Sequence, residues 1–339
     1  MQKTYSFDDV LLVPQYSNVE SRSDVCLQAE LDSNITLELP VIASPMDTVS
    51  GDKMALALDD LGALAVLHRY NTIGEQSRMA GDAWNAGKPL AAAVGATGDY
   101  YNRACALVSE GVNVLCIDIA HGHHKFMEIA IKKIKNRFGS KVHVMAGNVA
   151  TLEAFDALAS WGADSIRVGI GGGSICSTRL GAGHGLPTLQ SVFDCSRTTY
   201  DTKIIADGGI KTTGDMVKAL AAGADFVMVG SMLAGADETP GEVFIDANGK
   251  KQKEYRGMAS STAQRSWRGK SSTPEGVATV VPYKGPVGDI VQDIVGGIRS
   301  GLSYTGVRSI KELQARAKFV LQSGASQLES NTHILWRHK

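Results

Sequence analysis

Short, almost uninterrupted apolar runs recur along the chain at fairly even intervals. They are PVIASPM (40–46), GALAVLH (62–68), LAAAVGA (90–96), VNVLCIDIA (112–120), VHVMAGNV (142–149), DSIRVGIG (164–171), KIIADGG (203–209) and DFVMVGSM (225–232). Polar and apolar positions hardly alternate within them, which is the pattern of parallel strands covered on both faces. Between them lie amphipathic stretches with a shared ending. MALALDDLGA, YNRACALVSEGV, EAFDALASWGA and DMVKALAAGA each reach a glycine just before the next apolar run. Glycine there suits the left-handed residue that follows a helix C-terminus. Eight strands alternating with helices predict the α/β class and a closed (β/α)8 barrel. An open doubly wound sheet is the weaker reading, because no G-x-G-x-x-G turn follows the first strand.

Reactive groups of such barrels collect at the C-terminal ends of the strands. Those ends read Ser44-Pro45-Met46-Asp47, His68-Arg69, Gly95, Asp118 to His121, Gly147-Asn148, Gly169 to Gly173, Asp207-Gly208-Gly209 and Gly230-Ser231. Two connections break the even spacing. One is the loop 172–190, which contains Cys176. The other spans 236–281, after the eighth strand. There FIDANGKKQKEYRGM predicts a hairpin turning at Asn248-Gly249, followed by a polar flap, SSTAQRSWRGKSSTPEG. Long polar loops in a compact domain are usually functional or disordered.

Composition narrows the setting. With 339 residues, 44% of them hydrophobic and 20% charged, the chain fits one barrel domain over 1–339 with an N-terminal extension. A net charge of −1 gives no electrostatic ground for a nucleic-acid or membrane partner. No apolar run approaches the roughly 18 residues of a membrane span, and MQKTYSFDDVLLVPQ lacks the apolar region of a signal peptide. The five cysteines, Cys26, Cys105, Cys116, Cys176 and Cys195, match neither a zinc spacing nor a disulfide scaffold. A reducing, cytoplasmic setting is expected.

Two kinds of chemistry are suggested by the loops. Gly208, Gly209, Gly230 and Ser231, with Ser174, could present backbone N–H groups and hydroxyls to a phosphate. Asp207 would repel an anion, so a ribose hydroxyl is its better partner. The same residues also read as three unrelated turns. Cys176 lies among Gly, Ser and Thr, with Arg179 near enough in sequence to stabilise a thiolate and Ser177 and Thr178 able to relay protons. The loop is therefore open to two readings, a phosphate loop with an incidental cysteine or a held nucleophile. Cys105 and Cys116 read as small buried hydrophobes.

The stretches FDDVLLVPQ, SPMDTV, IDIAHGH, GNVAT, VGIGGGSICSTR, IADGGI, VMVGSMLAG, YRGM, PEG, YKGPV and GGIRS together resemble the IMP dehydrogenase / GMP reductase family over almost the whole chain. The resemblance implies a barrel that binds a purine nucleoside 5′-monophosphate, with Cys176 attacking C2 of the base and a nicotinamide nucleotide exchanging hydride there. It implies Ser174, Gly209, Gly230 and Ser231 at the phosphate, with Gly208 beside them, and Asp207 at the ribose. Arg256, Gly257, Met258, Glu275 and Gly276 would line the base. Arg69, Asp118, Ala120, His121 and Asn148 would lie on the nicotinamide side. It also implies a homotetramer, and potassium held by the carbonyls of Gly171, Gly173 and Cys176 with Glu329 of a neighbouring subunit.

Within the family, the dehydrogenase branch carries an Arg-Tyr pair on its flap and usually a pair of CBS modules after the second strand. Here only RYNTIGEQSRMAGDAWNAGKP fills the second place, and the flap from Met258 to Glu275 lacks the pair, its nearest candidates being Arg265 and Arg268 beside Trp267. Ala120 stands where the dehydrogenases usually have Ser. HGHH (121–124) and GSMLAG are dehydrogenase-like or shared, and the tail SGASQLESNTHI resembles the dehydrogenase C-terminal segment. The balance implies the reductase branch, with NADPH as reductant and Thr178 and Glu275 protonating a departing amino group. The alternatives are a dehydrogenase using NAD and an unusual base, or a purine-nucleotide binder without catalysis. GGGS replaces the usual Gly-Pro-Gly-Ser, so Gly172 is expected to loosen the cysteine loop.

Overall fold

In the computed structural model, which describes residues 3–270 and 273–330, eight parallel strands close into a barrel. They are β1 (Val41–Ala43), β2 (Leu64–Leu67), β3 (Ala91–Val94), β4 (Val114–Asp118), β5 (His143–Val149), β6 (Ser165–Val168), β7 (Lys203–Asp207) and β8 (Phe226–Val229). Each pairs with its sequence neighbours, and β8 closes on β1 with Met228 opposite Ile42. Every predicted apolar run contains one of these strands.

Alternate residues explain why the runs are apolar throughout. Ile42, Val114, Cys116 and Met228 fill the barrel interior, while Val41, Ala43, Leu115, Ile117 and Val229 face the surrounding helices. Those helices are α1 (Asp52–Asp60), α2 (Ile73–Asp82), α3 (Tyr100–Ser109), α4 (Lys125–Phe138), α5 (Leu152–Ser160), α6 (Thr188–Cys195), α7 (Thr213–Ala221) and α8 (Val287–Thr305). The glycines that end α1, α3, α5 and α7 all have positive φ: 76° at Gly62, 95° at Gly111, 106° at Gly162 and 114° at Gly223. They end these helices as a C-terminal glycine does.

The N-terminal extension closes the far end of the barrel. A hairpin of Ala29–Glu30 and Thr36–Leu37 inserts Leu31, Ile35 and Leu37 into the interior. Asp32 at its tip holds His143 Nδ1 at 2.7 Å, and His143 Nε2 meets Ser165 Oγ at 2.8 Å. Both partners begin barrel strands, so this end is plugged and the opposite mouth is left for chemistry. Val10–Leu12 pairs antiparallel with Phe319–Leu321, which ties the extension to the C-terminal segment.

The predicted hairpin forms, with Phe244 opposite Gln252 and Gly249 at φ 77°. It belongs to a larger unit than expected. Ala278–Pro282, the far side of the flap, adds a third strand antiparallel to Lys251–Arg256. The flap therefore springs from two adjacent strands of one sheet. Among the described residues no helix is long and apolar enough to cross a membrane.

Candidate active site

The cysteine loop and the flap are joined backbone to backbone. Ser177 N–H donates to Glu275 O (3.0 Å), Val277 N–H to Ile175 O (3.0 Å) and Glu275 N–H to Ala259 O (3.1 Å). Gly276 makes this approach possible, since a Cβ there would lie 3.3 Å from Ser260 N and 3.4 Å from Ile175 O. Gly257 is confined in the same way, with Gly276 Cα and Ile175 O each 3.4 Å from a Cβ placed on it. Side chains then line up across the seam. The Cys176 thiol donates to Thr178 Oγ1 (3.2 Å), and the Thr178 hydroxyl donates to Glu275 Oε2 (2.8 Å). Cys176 is exposed, so its sulfur is open to a substrate. Burial instead pushes the Cys116 thiol up to about 11 and the Cys195 thiol up to about 12, which leaves both protonated at neutral pH. Cys105, expected to be buried, is only partly so.

Two expectations for the cysteine loop change. Arg179 donates to Leu186 O at 2.7 Å, so it braces the loop, and among the described residues no hydrogen bond links it to Cys176. Gly172 is not a loose point. A Cβ on it would stand 2.6 Å from Thr188 Oγ1 and 3.3 Å from Gly208 C, so here the loop presses against α6 and the turn after β7. Gly208 and Gly209 take φ of 90° and 78° to make that turn.

The phosphate candidates converge. Ser174 Oγ lies 3.4 Å from Tyr255 Oη, and Tyr255 also bonds Ser231, its pKa raised by burial. Leu233 and Ala234 N–H both bond Gly230 O, forming one tight turn after β8. Tyr255 is a site residue that sequence reasoning passed over, although YRGM contained it. Its signal is a phenol that is 4% exposed, whose hydroxyl needs a partner.

The mouth between β4 and β7 is organised by a second missed residue, Arg167 of β6. It donates to Asp118 Oδ1 (2.6 Å) and, through Nε and Nη2, to Asp207 Oδ2 (3.1 and 2.9 Å). Asn148 Nδ2 adds a third donor to Asp207 Oδ2 at 2.8 Å. All three reach one oxygen, and Oδ1 has no donor among the described residues. Burial would raise the Asp118 pKa, but Arg167 and Arg69 outweigh it and hold the carboxyl below its ordinary range. Arg69 donates to Asp118 Oδ2 at 3.4 Å and to Asp118 O at 3.0 Å. Asp118 and Arg69 are thus engaged with each other, whereas Ala120 and His121 stand exposed at the rim.

Arg256, expected to line the base, is held by an ion pair. Its Nη2 meets Asp47 Oδ2 at 2.6 Å, and Asp47 N–H donates to Met258 Sδ at 3.3 Å. It anchors the flap sheet to the loop after β1. The flap helix, Ser261–Arg268, lies against the loop after β2, where Trp267 stacks on Tyr70 with centroids 5.9 Å apart. Arg265 is exposed on this helix, and the Arg268 side chain falls outside the described residues. Glu329 is exposed too. Gly173 O accepts the Cys176 N–H at 3.1 Å.

The chain is similar to known proteins over almost its whole length. The sequence pattern of the IMP dehydrogenase / GMP reductase domain matches residues 4–333. A GMP reductase from Leishmania major is 34% identical over 474 aligned positions, covering 97% of this chain and 96% of the relative. An inosine-5′-monophosphate dehydrogenase from Nitrosopumilus maritimus (strain SCM1) is 33% identical over 466, covering 97% and 98%. Both alignments are longer than the 339-residue chain, so each relative carries inserted sequence. The crystal structure of a cysteine-to-alanine GMP reductase from Trypanosoma brucei, in complex with guanosine 5′-monophosphate, superposes with a TM-score of 0.92 at 32% identity, covering 98% of each chain. By sequence and by structure, the chain belongs to the IMP dehydrogenase / GMP reductase family.

Proposed function

We propose that the protein is a GMP reductase that converts GMP and NADPH to IMP, ammonia and NADP. The observation that carries this reading is the unbroken line from Cys176 through Thr178 to Glu275. The line takes the thiol proton to the carboxylate. The freed thiolate adds to C2 of the purine, and ring nitrogen N3 is protonated. Glu275, through Thr178, then protonates the 2-amino nitrogen, which leaves as ammonia. A thioimidate on Cys176 remains. A reduced nicotinamide nucleotide supplies the hydride that C2 accepts. The carbon–sulfur bond breaks as N3 gives up its proton, which restores the purine ring, and the regenerated thiolate takes a new proton from solvent.

The other side chains support the same substrate. Ser174, Ser231 and Tyr255 form a hydroxyl cluster suited to a 5′-phosphate, beside the Gly208-Gly209 turn. The open Oδ1 of Asp207 suits a ribose hydroxyl. On the nicotinamide side, the fit is to a neutral carboxamide. Ala120 and His121 are exposed there, and Asn148 keeps its Oδ1 without a donor among the described residues. Potassium, where bound, would be held by the carbonyls of Gly171, Gly173 and Cys176 with Glu329 of a neighbouring subunit. The single domain over 1–339 and the cytoplasmic homotetramer remain part of this reading. Residues 68–90, where the CBS modules would enter, hold one described helix, α2.

Purified protein given GMP and NADPH is expected to lose nicotinamide absorbance at 340 nm. NADH formation from IMP and NAD, with GMP and NADPH inert, would overturn the proposal in favour of the dehydrogenase, with Arg265 or Arg268 as base.

A further inference from the structure

The turn that leaves β8 is held from behind by two lysines from distant parts of the chain. Lys284 Nζ donates to the carbonyls of Ser231 and Met232, each at 2.9 Å. Lys253, 2% exposed, donates to the carbonyls of Ala236 (3.1 Å), Asp237 (3.3 Å) and Thr239 (2.6 Å). Neither ammonium has a carboxylate within ion-pair distance among the described residues. The segment bearing Lys284 is itself docked on the turn. Lys284 N–H bonds Gly235 O, and Asp237 N–H bonds Gly285 O, both at 2.9 Å.

Peptide geometry links these contacts to the phosphate side of the turn. In a trans peptide the carbonyl and the following N–H point in opposite directions. Gly230 O is committed to Leu233 and Ala234, and Ser231 O to Lys284. The N–H groups of Ser231 and Met232 therefore face the other way, and neither has an acceptor among the described residues. A cation on the carbonyl side also complements the negative end of the turn's peptide dipoles.

We propose that Lys284 is a positioning residue for the phosphate subsite, fixing the Ser231 and Met232 carbonyls so that the N–H groups of that turn meet the 5′-phosphate. Lys253 extends the same support to the next stretch of the turn. The proposal rests on the reading that Ser231 lies at the phosphate of a purine nucleoside monophosphate. It predicts a defect that depends on the phosphate and spares the base.

Calorimetric binding of GMP and of guanosine, to wild type, Lys284→Met and Lys284→Arg, tests it. Lys284→Met should weaken GMP by about tenfold, leave guanosine unchanged and raise KM with little change in kcat. Lys284→Arg should restore most of the GMP affinity. Equal weakening of GMP and guanosine would overturn the proposal, as would unchanged GMP binding in Lys284→Met. If Lys284→Met fails to fold, Lys284→Gln is read by the same criteria. The binding measurement needs no turnover, so a failure of reductase activity leaves it readable. Wild type that binds GMP no better than guanosine would overturn the phosphate subsite and this proposal together.

Discussion

At the scale of single residues, Cys176, Thr178 and Glu275 divide the work by what each can give. In the proposed reaction sulfur provides the nucleophile, the hydroxyl spans the gap, and the carboxylate stores the proton. Cys176→Ser should abolish turnover while leaving GMP binding measurable by calorimetry, because the sulfur supplies the bond and not the pocket. Arg167 carries a different burden. It is 6% exposed and answers two carboxylates. Arg167→Met should destabilise the fold by about 3–5 kcal/mol, read as a drop in the denaturation midpoint, because Asp118 and Asp207 lose their shared cation. The cysteine and its hydroxyl partner were legible from their unusual company of glycines and polar residues. Arg167 was equally visible as one cation inside DSIRVGIG. A buried charge demands partners, but its partners lie on strands far away in sequence, so no local pattern named them.

At the scale of elements, loops are shaped by what they press against. Gly172 sits inside the cysteine loop, and the space beside it belongs to Thr188 at the start of α6. Gly172→Ala should cost about 1–3 kcal/mol by overpacking. Adding Thr188→Ala should recover part of that loss in a double-mutant cycle followed by thermal melting. Purely additive effects would show that the contact is not the cause. The eight strands and the helix-ending glycines could be read from the sequence because barrel strands are buried on both faces and the φ values needed there favour glycine. The third strand of the flap sheet could not. Ala278–Pro282 is mostly exposed despite its valines, and the strand it pairs with is set by the return of the flap, which no local pattern names.

At the scale of the whole molecule, the barrel has one sealed end and one working end. Asp32 is the seal's polar contact. Burial raises its pKa, but hydrogen bonds from His143, Asn34 and Ile35, together with the His143 charge, outweigh it and set a net lowering. A lowered carboxyl contributes stability above its unfolded pKa of about 4 and loses it as pH falls through the lower folded value. Asp32→Asn should therefore lower the melting temperature at pH 7, with the gap to wild type closing below about pH 4. The working end carries the central claim, that this family member removes an amino group through the Cys176–Thr178–Glu275 line. The direct measurement uses GMP labelled with nitrogen-15 at the 2-amino group and NADPH, with wild type beside Glu275→Gln. The expected result is one labelled ammonia per NADPH oxidised by wild type, and a rate lower by on the order of a hundredfold in the variant. Wild type that releases no labelled ammonia from GMP, yet forms NADH from IMP and NAD, would contradict the account.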